Sequence, residues 1–390
     1  MKRIMLTLMA GAGLAAIGIP AAIGQFADRE RAFLAEPFKG LTAEGSVEPG
    51  LFKIEATGVS TAPVLEAANA FLASLTKEQH AATTFPVDDD EWRKWANVHR
   101  YVRQGVSFKD MNTAQRDAAY GLLHASLSAK GLKTSRDIMH LNETLAELSG
   151  KHDEYGEYLY WITVMGTPSA TEPWGWQLDG HHLAVNYFVL GDQVVMTPTF
   201  MGSEPAVAMS GKYAGTRILE AEQVKGLALI NALTDAQRGR AILATEKDGN
   251  HNQAELFKDN VVIPYAGISA REFNAAQNQL LRELIHEYVG NVRDGHAEIK
   301  MQEVLEHLDE TRFAWIGGTR PDSVFYYRIH SPVILIEFDH QMPVGLPGPR
   351  VPNREHVHTV VRTPNGNDYG KDLLRQHYEQ HKHDPGHVHE

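Results

Sequence analysis

The chain has 390 residues, no cysteine and a formal net charge of -12 at pH 7. An acidic chain is a poor binder of nucleic acid, so we expect no nucleic-acid partner. Without cysteine the fold has no disulfide, no thiolate ligand and no thiol nucleophile. Any bound metal must therefore be held by His, Asp, Glu or backbone oxygen.

The N-terminus carries the pattern of a secretory signal peptide. It begins with Met-Lys-Arg, followed by an apolar stretch from about Met5 to Ile19 and by small residues up to Gly24. This pattern predicts a signal peptide over residues 1–24, cleavage near Gly24, and export to the periplasm or the medium. The apolar stretch is too short to span a bilayer comfortably, and no later segment is long enough, so we expect no integral membrane segment.

The remaining chain predicts helices and strands in alternating blocks. Helical patterns run from about Thr61 to Gly150, and the segments YLYWITVMG, GWQLDGHHLAVNYFVL and QVVMTPTFMG then predict an antiparallel meander. Helices return at about 221–245 and 269–308, followed by the strands FAWIGG, VFYYRIH, PVILIEFDH and HVHTVVRTP. We therefore expect an α+β fold, with an N-terminal helical region packed on a largely antiparallel sheet built from two strand blocks.

Capping-box patterns mark four predicted helix starts. In each pattern a polar residue is followed three positions later by Gln or Glu. The four polar residues are Thr76, Asn112, Thr234 and Ser269. Their recurrence hints at an internal duplication, whereas their irregular spacing argues against one.

We expect residues 25–376 to form a single domain and residues 377–390 to form a flexible, histidine-rich tail. Histidine-rich segments of this kind bind transition metals weakly, whether or not a function depends on them. The segment from Pro343 to Pro352 is rich in proline and glycine, which predicts an ordered loop over the sheet.

Adjacent histidines at 181 and 182 form the first candidate cluster. Neighbouring residues on a strand point to opposite faces, so only one of the two rings is expected to face a given pocket. His182 shares its face with Ala184 and Asn186 and is the better candidate for a polar cavity, although two hydrogen-bonded structural histidines remain an alternative.

Glu337 and Asp339 form the second cluster, on one face of the strand ILIEFDHQ, with His330 on the preceding strand. Two acids on one strand face are expensive to bury unpaired. Either that face is solvated or paired with arginine, or the carboxylates act as metal ligand or general base.

His356 and His358 form the third cluster, and Arg362 follows on the same predicted strand. Residues two apart on a strand project from one face, so both imidazoles can reach one ion, and a third His or a carboxylate would complete a catalytic site. Arg362 could clamp an anionic substrate or pair with Glu337 and Asp339.

Several common catalytic motifs are missing. The chain has no His-Glu-x-x-His helix, no Gly-x-Ser-x-Gly elbow and no phosphate-binding loop. Covalent serine hydrolysis is therefore unsupported.

Four strings together resemble a known family: GWQLDGHHLAVNYFV, TPTFMGSEPA, EFDHQ and HVHTVVRTPNGNDYG. The family is known as domain of unknown function 3500. The resemblance covers about residues 62–381 and implies one family-sized unit in place of two unrelated domains. It implies no activity and supplies no catalytic residues, so the site predictions rest on the residue patterns alone.

These patterns favour an exported metal-dependent enzyme that acts on a small-molecule substrate. The expected ligands are His182, His330, His356 and His358, and the expected catalytic residues are Glu337, Asp339 and Arg362. We expect a divalent metal, zinc before copper or iron, that activates water to attack an ester, amide or lactone.

Two alternatives stay open. The same residues would suit a copper or non-haem iron redox enzyme. In a third hypothesis the protein is a periplasmic metal-binding protein whose histidine-rich tail is the functional part. The sequence does not indicate the oligomeric state.

Overall fold

The computed structural model describes residues 19–382, with side chains from Phe26 onward. Most of the predicted signal peptide and the tail beyond Lys382 lie outside the described residues. Within the described part, ten helices flank one sheet. The helices are α1 (Ile19–Leu34), α2 (Ala62–Ser74), α3 (Lys77–Thr83), α4 (Thr113–Ser126), α5 (Ala129–Ser149), α6 (Glu220–Ala232), α7 (Asp235–Ala241), α8 (Ala275–Val289), α9 (Asp294–Glu306) and α10 (Lys371–His381).

The sheet has thirteen strands, most of them antiparallel, and the α+β prediction is confirmed. The strands are β1 (Thr84–Phe85), β2 (Val106–Ser107), β3 (Tyr160–Met165), β4 (Trp174–Gly180), β5 (Leu183–Leu190), β6 (Gln193–Val195), β7 (Thr199–Ser203), β8 (Ile242–Ala244), β9 (Ile268–Ser269), β10 (Arg312–Gly317), β11 (Phe325–His330), β12 (Leu335–His340) and β13 (Val357–Arg362). The main path runs β1-β3-β4-β5-β7-β13-β12-β11-β10-β8.

The order of elements repeats along the chain. A helix pair, a short strand, a long loop, a second short strand, another helix pair and four strands of the main path occur once from α2 to β7 and once again from α6 to β13, and the first half has β6 in addition. The sheet path is symmetric about the antiparallel pair β7 and β13. At the two ends, β1 runs parallel to β3 and β8 runs parallel to β10, while β2 and β9 pair antiparallel with the same strands.

Side-chain contacts repeat with the elements. The amide of Gln115 donates to Oε1 of Gln79 at 2.6 Å, and the amide of Gln277 donates to Oε1 of Gln237 at 2.9 Å. All four glutamines occupy the N3 position of a capping box. The chain is therefore built from two similar halves, offset by roughly 150 to 160 residues.

Three of the four predicted capping boxes are confirmed, at Thr76, Asn112 and Thr234. The fourth was wrong: Ser269 caps only a three-residue 3-10 helix, and the box begins at Asn274. The four observed boxes recur in two pairs: Thr234 lies 158 residues after Thr76, and Asn274 lies 162 residues after Asn112. The tail predicted to start at His377 begins inside α10, which continues to His381.

The two faces of the sheet have different covers. The helix face carries Tyr327 and Phe338, and α6 packs on it: the Tyr327 hydroxyl donates to the carbonyl of Glu222 at 3.0 Å. The opposite face, here called the loop face, carries Glu337, Asp339 and His358.

Two loops cover the loop face, and they occupy equivalent places in the two halves. The first cover loop, residues 86–105, joins β1 to β2, and the second cover loop, residues 245–267, joins β8 to β9. Each loop is held in place by a hydrogen bond to a buried carboxylate. The Ala96 amide of the first loop donates to Asp179, and the Ala254 amide of the second loop donates to Glu337.

The described residues contain no helix with both the length and the apolar character of a membrane span.

Each cover loop ends at a glycine that the sheet requires. Gly105 and Gly267 have φ values of +84° and +80°, and a Cβ at either position would lie 2.1 Å from a backbone carbonyl oxygen of the adjacent strand. A side chain here would meet both left-handed backbone strain and a main-chain clash.

We expect Gly267→Ala to destabilise the protein by at least about 3 kcal/mol, because the backbone of β10 must move. Gly50→Ala is the matched control, since Gly50 has φ +78° but nothing within 4 Å of the added Cβ. Its cost should be about 1 kcal/mol, from the backbone conformation alone. Equal shifts of the two urea-unfolding midpoints would contradict this expectation.

Candidate metal centre

His182 lies in the tight turn between β4 and β5. Its φ is +62°, a left-handed conformation that non-glycine residues rarely adopt. Two backbone hydrogen bonds hold it there: its N–H donates to the carbonyl of Asn97 at 3.2 Å, and its carbonyl accepts from Gly202 at 2.9 Å. Both the first cover loop and β7 therefore fix this residue.

His356 immediately precedes β13 and His358 is the second residue of this strand, on the loop face. His358 pairs with Gly202 of β7 on one side and with Asp339 of β12 on the other. A Cβ at Gly202 would lie 3.2 Å from Cδ2 of His358 and 2.5 Å from the carbonyl oxygen of Val357. The glycine thus leaves the space that the His358 ring occupies.

Three imidazoles converge at this point, and we call them the histidine triad: His182, His356 and His358. The Nε2 atom of His356 lies 3.1 Å from Nε2 of His182 and 2.9 Å from Nε2 of His358. The three side chains offer ligand atoms that all lie within 4.8 Å of one another. Their residues are only 5, 3 and 7 % exposed, so the triad is buried.

Proton positions in the triad follow from the partners of the other ring nitrogens. Nδ1 of His356 lies 2.7 Å from the carbonyl oxygen of Met342, and Nδ1 of His358 lies 2.7 Å from Oε1 of Glu255. Both partners are acceptors, so each Nδ1 carries a hydrogen, and a neutral ring then has its lone pair on Nε2.

Two lone pairs therefore face each other across 2.9 Å between His356 and His358. Burial, with His358 nearby, holds the pKa of His356 well below its ordinary value, so this ring resists taking up a proton. Burial likewise lowers the pKa of His182, and its histidine neighbours add to the effect. A cation between the rings would relieve the repulsion.

Glu255, in the second cover loop, is the carboxylate next to the triad. Burial alone would raise its pKa, but His358 and the amides of Asn252 and Asn97 stabilise the ionised form and lower the pKa overall. Those amides lie 2.6 and 3.3 Å from the two carboxylate oxygens. Its side chain is 21 % exposed, so solvent approaches the triad from this side.

Both neighbouring asparagines have spare hydrogen-bonding capacity. Their Oδ1 atoms are buried and have no hydrogen-bond partner within the described part of the chain. Asn97 also holds the backbone of His182, so these acceptors belong to the same site.

A second carboxylate, Glu204, lies behind His356. Its Oε2 is 3.7 Å from Nδ1 of His356, and its oxygens accept from the backbone amides of Val344, Gly345 and Leu346. These bonds tie the proline-rich loop that follows Pro343 to the site, in agreement with the predicted ordered loop over the sheet.

The structure places Glu337 and Asp339 outside the triad. Glu337 accepts from the Tyr326 hydroxyl at 2.6 Å and from the backbone amides of Gln253 and Ala254. Asp339 pairs with the buried Lys247 at 2.7 Å and accepts from the amides that precede Gln253. The two carboxylates anchor the second cover loop and so set the position of Glu255.

His330 lies away from the triad. It pairs with Leu335 near one end of β12, whereas His358 pairs with Asp339 near the other end, roughly 13 Å along the strand. Its ring packs against Tyr265 with centroids 4.6 Å apart, and burial lowers its pKa to about 3.

Arg362 holds the cover loop and the turn after β13 together. Its guanidinium contacts Asp368 and Asp259, each at 2.7 Å, and donates to the carbonyl of Ala254 at 2.9 Å. Arg362, Asp259 and Asp368 are all buried, so no part of the guanidinium is directed at a solvent-accessible anion site.

Sequence reasoning missed Glu255, Asn97 and Glu204. Each lies in or beside a loop without hydrophobic periodicity, and each reaches the triad only through long-range folding. The string Asn252-Gln-Ala-Glu255 carries no metal-binding spacing.

His182 belongs to the first half and His356 and His358 belong to the second, and the equivalent positions of the repeat carry no second triad. The turn between β11 and β12 consists of Ser331, Pro332, Val333 and Ile334, with no histidine. The segment Met196-Thr197-Pro198 before β7 has none either. The triad histidines are therefore present at only one of the two places that the repeat makes equivalent.

The sequence matches the family model described as protein of unknown function (DUF3500) over residues 57–371, close to the range expected from the motif strings. No curated protein and no solved structure matches the chain.

We expect Arg362→Leu to destabilise the protein by about 3 to 5 kcal/mol, because it leaves Asp368 buried without its cation and removes one of the two arginines, Arg93 and Arg362, that pair with Asp259. Arg375→Leu is the control: its side chain is 56 % exposed, and its pairs with Asp372 and Glu379 lie within α10 and should contribute no more than about 1 kcal/mol. Chemical unfolding measures both. Loss of substrate affinity in Arg362→Leu without loss of stability would instead show direct substrate binding.

Proposed function

We propose that this chain, which belongs to the DUF3500 family, is a metal-dependent hydrolase whose ion is held by His182, His356 and His358. The observation that carries the proposal is the convergence of three buried Nε2 atoms, two of them with lone pairs fixed toward each other. A metal ion satisfies all three lone pairs at once, whereas a proton satisfies only two.

The distances support a small, tetrahedral ion. Zinc binds imidazole nitrogen at about 2.0 to 2.1 Å, so two ligands at a tetrahedral angle lie roughly 3.3 to 3.4 Å apart. The observed separations of 2.9 and 3.1 Å need only a slight opening. Three protein nitrogens leave a fourth position for water, which is the arrangement of catalytic zinc sites.

The surrounding residues fit this role. The carbonyl of Met342 and the carboxylate of Glu255 fix the tautomers of His356 and His358, as the outer partners of metal-binding histidines do. A bound zinc ion would lower the pKa of its water to about 7. The free oxygens of Asn97 and Asn252 are acceptors for N–H or O–H groups of a substrate beside Glu255.

The ligand set separates this proposal from the non-haem iron alternative. Non-haem iron oxygenases use two histidines and one carboxylate. Here Glu255 contacts Nδ1 of His358 and not the convergence point, so the third ligand is a histidine. We therefore favour zinc hydrolysis of a small ester, amide or lactone, with a copper redox enzyme as the second candidate.

We expect the full-length protein, purified without metal-affinity chromatography, to carry close to one equivalent of tightly bound metal by elemental analysis. His356→Ala and His358→Ala should lose it. Replacement of His383, His387 and His389 by Ser should leave it in place, because the tail supplies at most weak sites. Loss of the metal in the tail variant alone would instead favour the metal-carrier hypothesis.

We expect the zinc-loaded protein to hydrolyse members of a panel of chromogenic esters, anilides and lactones, and His358→Ala to reduce the rate to background. Glu255→Gln should weaken zinc affinity by about 10- to 100-fold, and excess zinc should restore much of the activity. Asp248→Asn is the control, since that carboxylate is 85 % exposed and does not contact the triad. Oxygen consumption by a copper-loaded protein, without zinc-dependent hydrolysis, would contradict the proposal.

A further inference from the structure

A cavity distinct from the histidine triad lies on the helix face of the sheet, between β6, β7, α8 and α9. Val361 of β13 contributes to its wall, and His358 lies on the opposite face of the same strand. The cavity is therefore separated from the histidine triad by the sheet itself. Its floor is apolar and is formed by Val194, Val195, Met196, Val289, Val292, Ile334 and Val361.

The cavity continues into a wide groove. The inner space is about 60 Å³, whereas the groove between residues 50–57 and α9 is about 700 Å³. Both are lined by the same six residues, which mark the junction: Val194, Val195, His296, Lys300, Glu303 and Asn367. A cavity of about 150 Å³ holds benzene, so the inner space admits a narrow chain and not a ring.

His296 is the polar group that faces this junction without a protein partner. It is only 5 % exposed, and no hydrogen bond links its ring to any other described residue. Burial, together with Arg293, lowers its pKa to about 4, so the ring is neutral at pH 7. A buried imidazole that lines a cavity in this way has one donor and one acceptor available for a ligand.

The charged groups at the junction are already satisfied. Lys300 donates to Glu303 at 2.6 Å and to the carbonyl of Val333 at 2.9 Å. The hydroxyls of Thr197 and Thr363 bond to each other at 2.7 Å. The junction thus offers no free cation for an anionic head and no free carboxylate for a cationic one.

We propose that the cavity and groove bind an uncharged amphipathic small molecule, with a linear alkyl end in the inner space and a neutral hydrogen-bonding head at His296. This inference does not depend on the proposed metal site.

The test is calorimetric titration of the full-length protein with straight-chain alcohols of increasing length, and with carboxylates and amines of the same lengths. Affinity for the alcohols should rise about fourfold per methylene until the inner space is filled, and then level off. The carboxylates and amines should bind at least about tenfold more weakly, because a charge must be desolvated. Affinity without dependence on chain length, or equal affinity for the charged series, would overturn the proposal.

Two variants locate the site. Val195→Phe fills the junction from a half-buried position and should reduce alcohol binding by at least about tenfold, whereas Val262→Phe, at a residue 48 % exposed elsewhere, should not. His296→Leu should remove the preference for an alcohol over the alkane of equal length. His356→Ala should leave alcohol binding unchanged. Loss of alcohol binding in His356→Ala, together with its retention in Val195→Phe, would refute the assignment of the site to this cavity. Unfolding midpoints confirm that each variant is folded.

Discussion

The antiparallel pairing of β7 with β13 is the constraint on which the rest of the structure depends. It joins the two similar halves into one sheet, and it also assembles the histidine triad. Gly202 of β7 donates to the carbonyl of His182 and pairs directly with His358 of β13. Because strand side chains alternate, a slip of one residue in this pairing would turn His358 to the helix face and dismantle the triad.

Buried charge holds the loop face together. Glu337 and Asp339 bind successive backbone amides of the second cover loop, and Arg362 binds a carbonyl of the same loop. Each of these groups is costly to bury without a partner, and the second cover loop supplies a partner to all three. In return, backbone groups of a loop without regular secondary structure become hydrogen-bonded. The loop is thereby fixed, and with it Glu255, whose position against His358 sets the orientation of that ring.

The repeated architecture shows how a site can be added to a scaffold without changing it. Both halves use the same paired glutamines at their helix starts and the same glycine at the end of each cover loop. The histidines appear in only one hairpin turn and at the start of only one central strand. Stability is therefore shared by both halves, whereas the candidate chemistry belongs to residues that differ between them.

The sequence by itself determined the features that depend on local periodicity. Helix starts follow from capping residues, strands from alternation, and the common face of His356 and His358 from their spacing of two. The same alternation correctly placed Glu337 and Asp339 on one face of their strand, and the pairing of β12 with β13 makes it the face that carries His358.

Only the tertiary structure decided which residues meet. His182 lies 174 positions before His356, and Glu255 lies 103 positions before His358, so their contacts depend on strand register and loop closure and leave no periodic trace in the sequence. The roles of Glu337, Asp339 and Arg362 as anchors also depend on a loop whose path no local pattern specifies. The sequence thus identified the triad histidines as candidates among several, and packing across the β7–β13 pair brought three of them together.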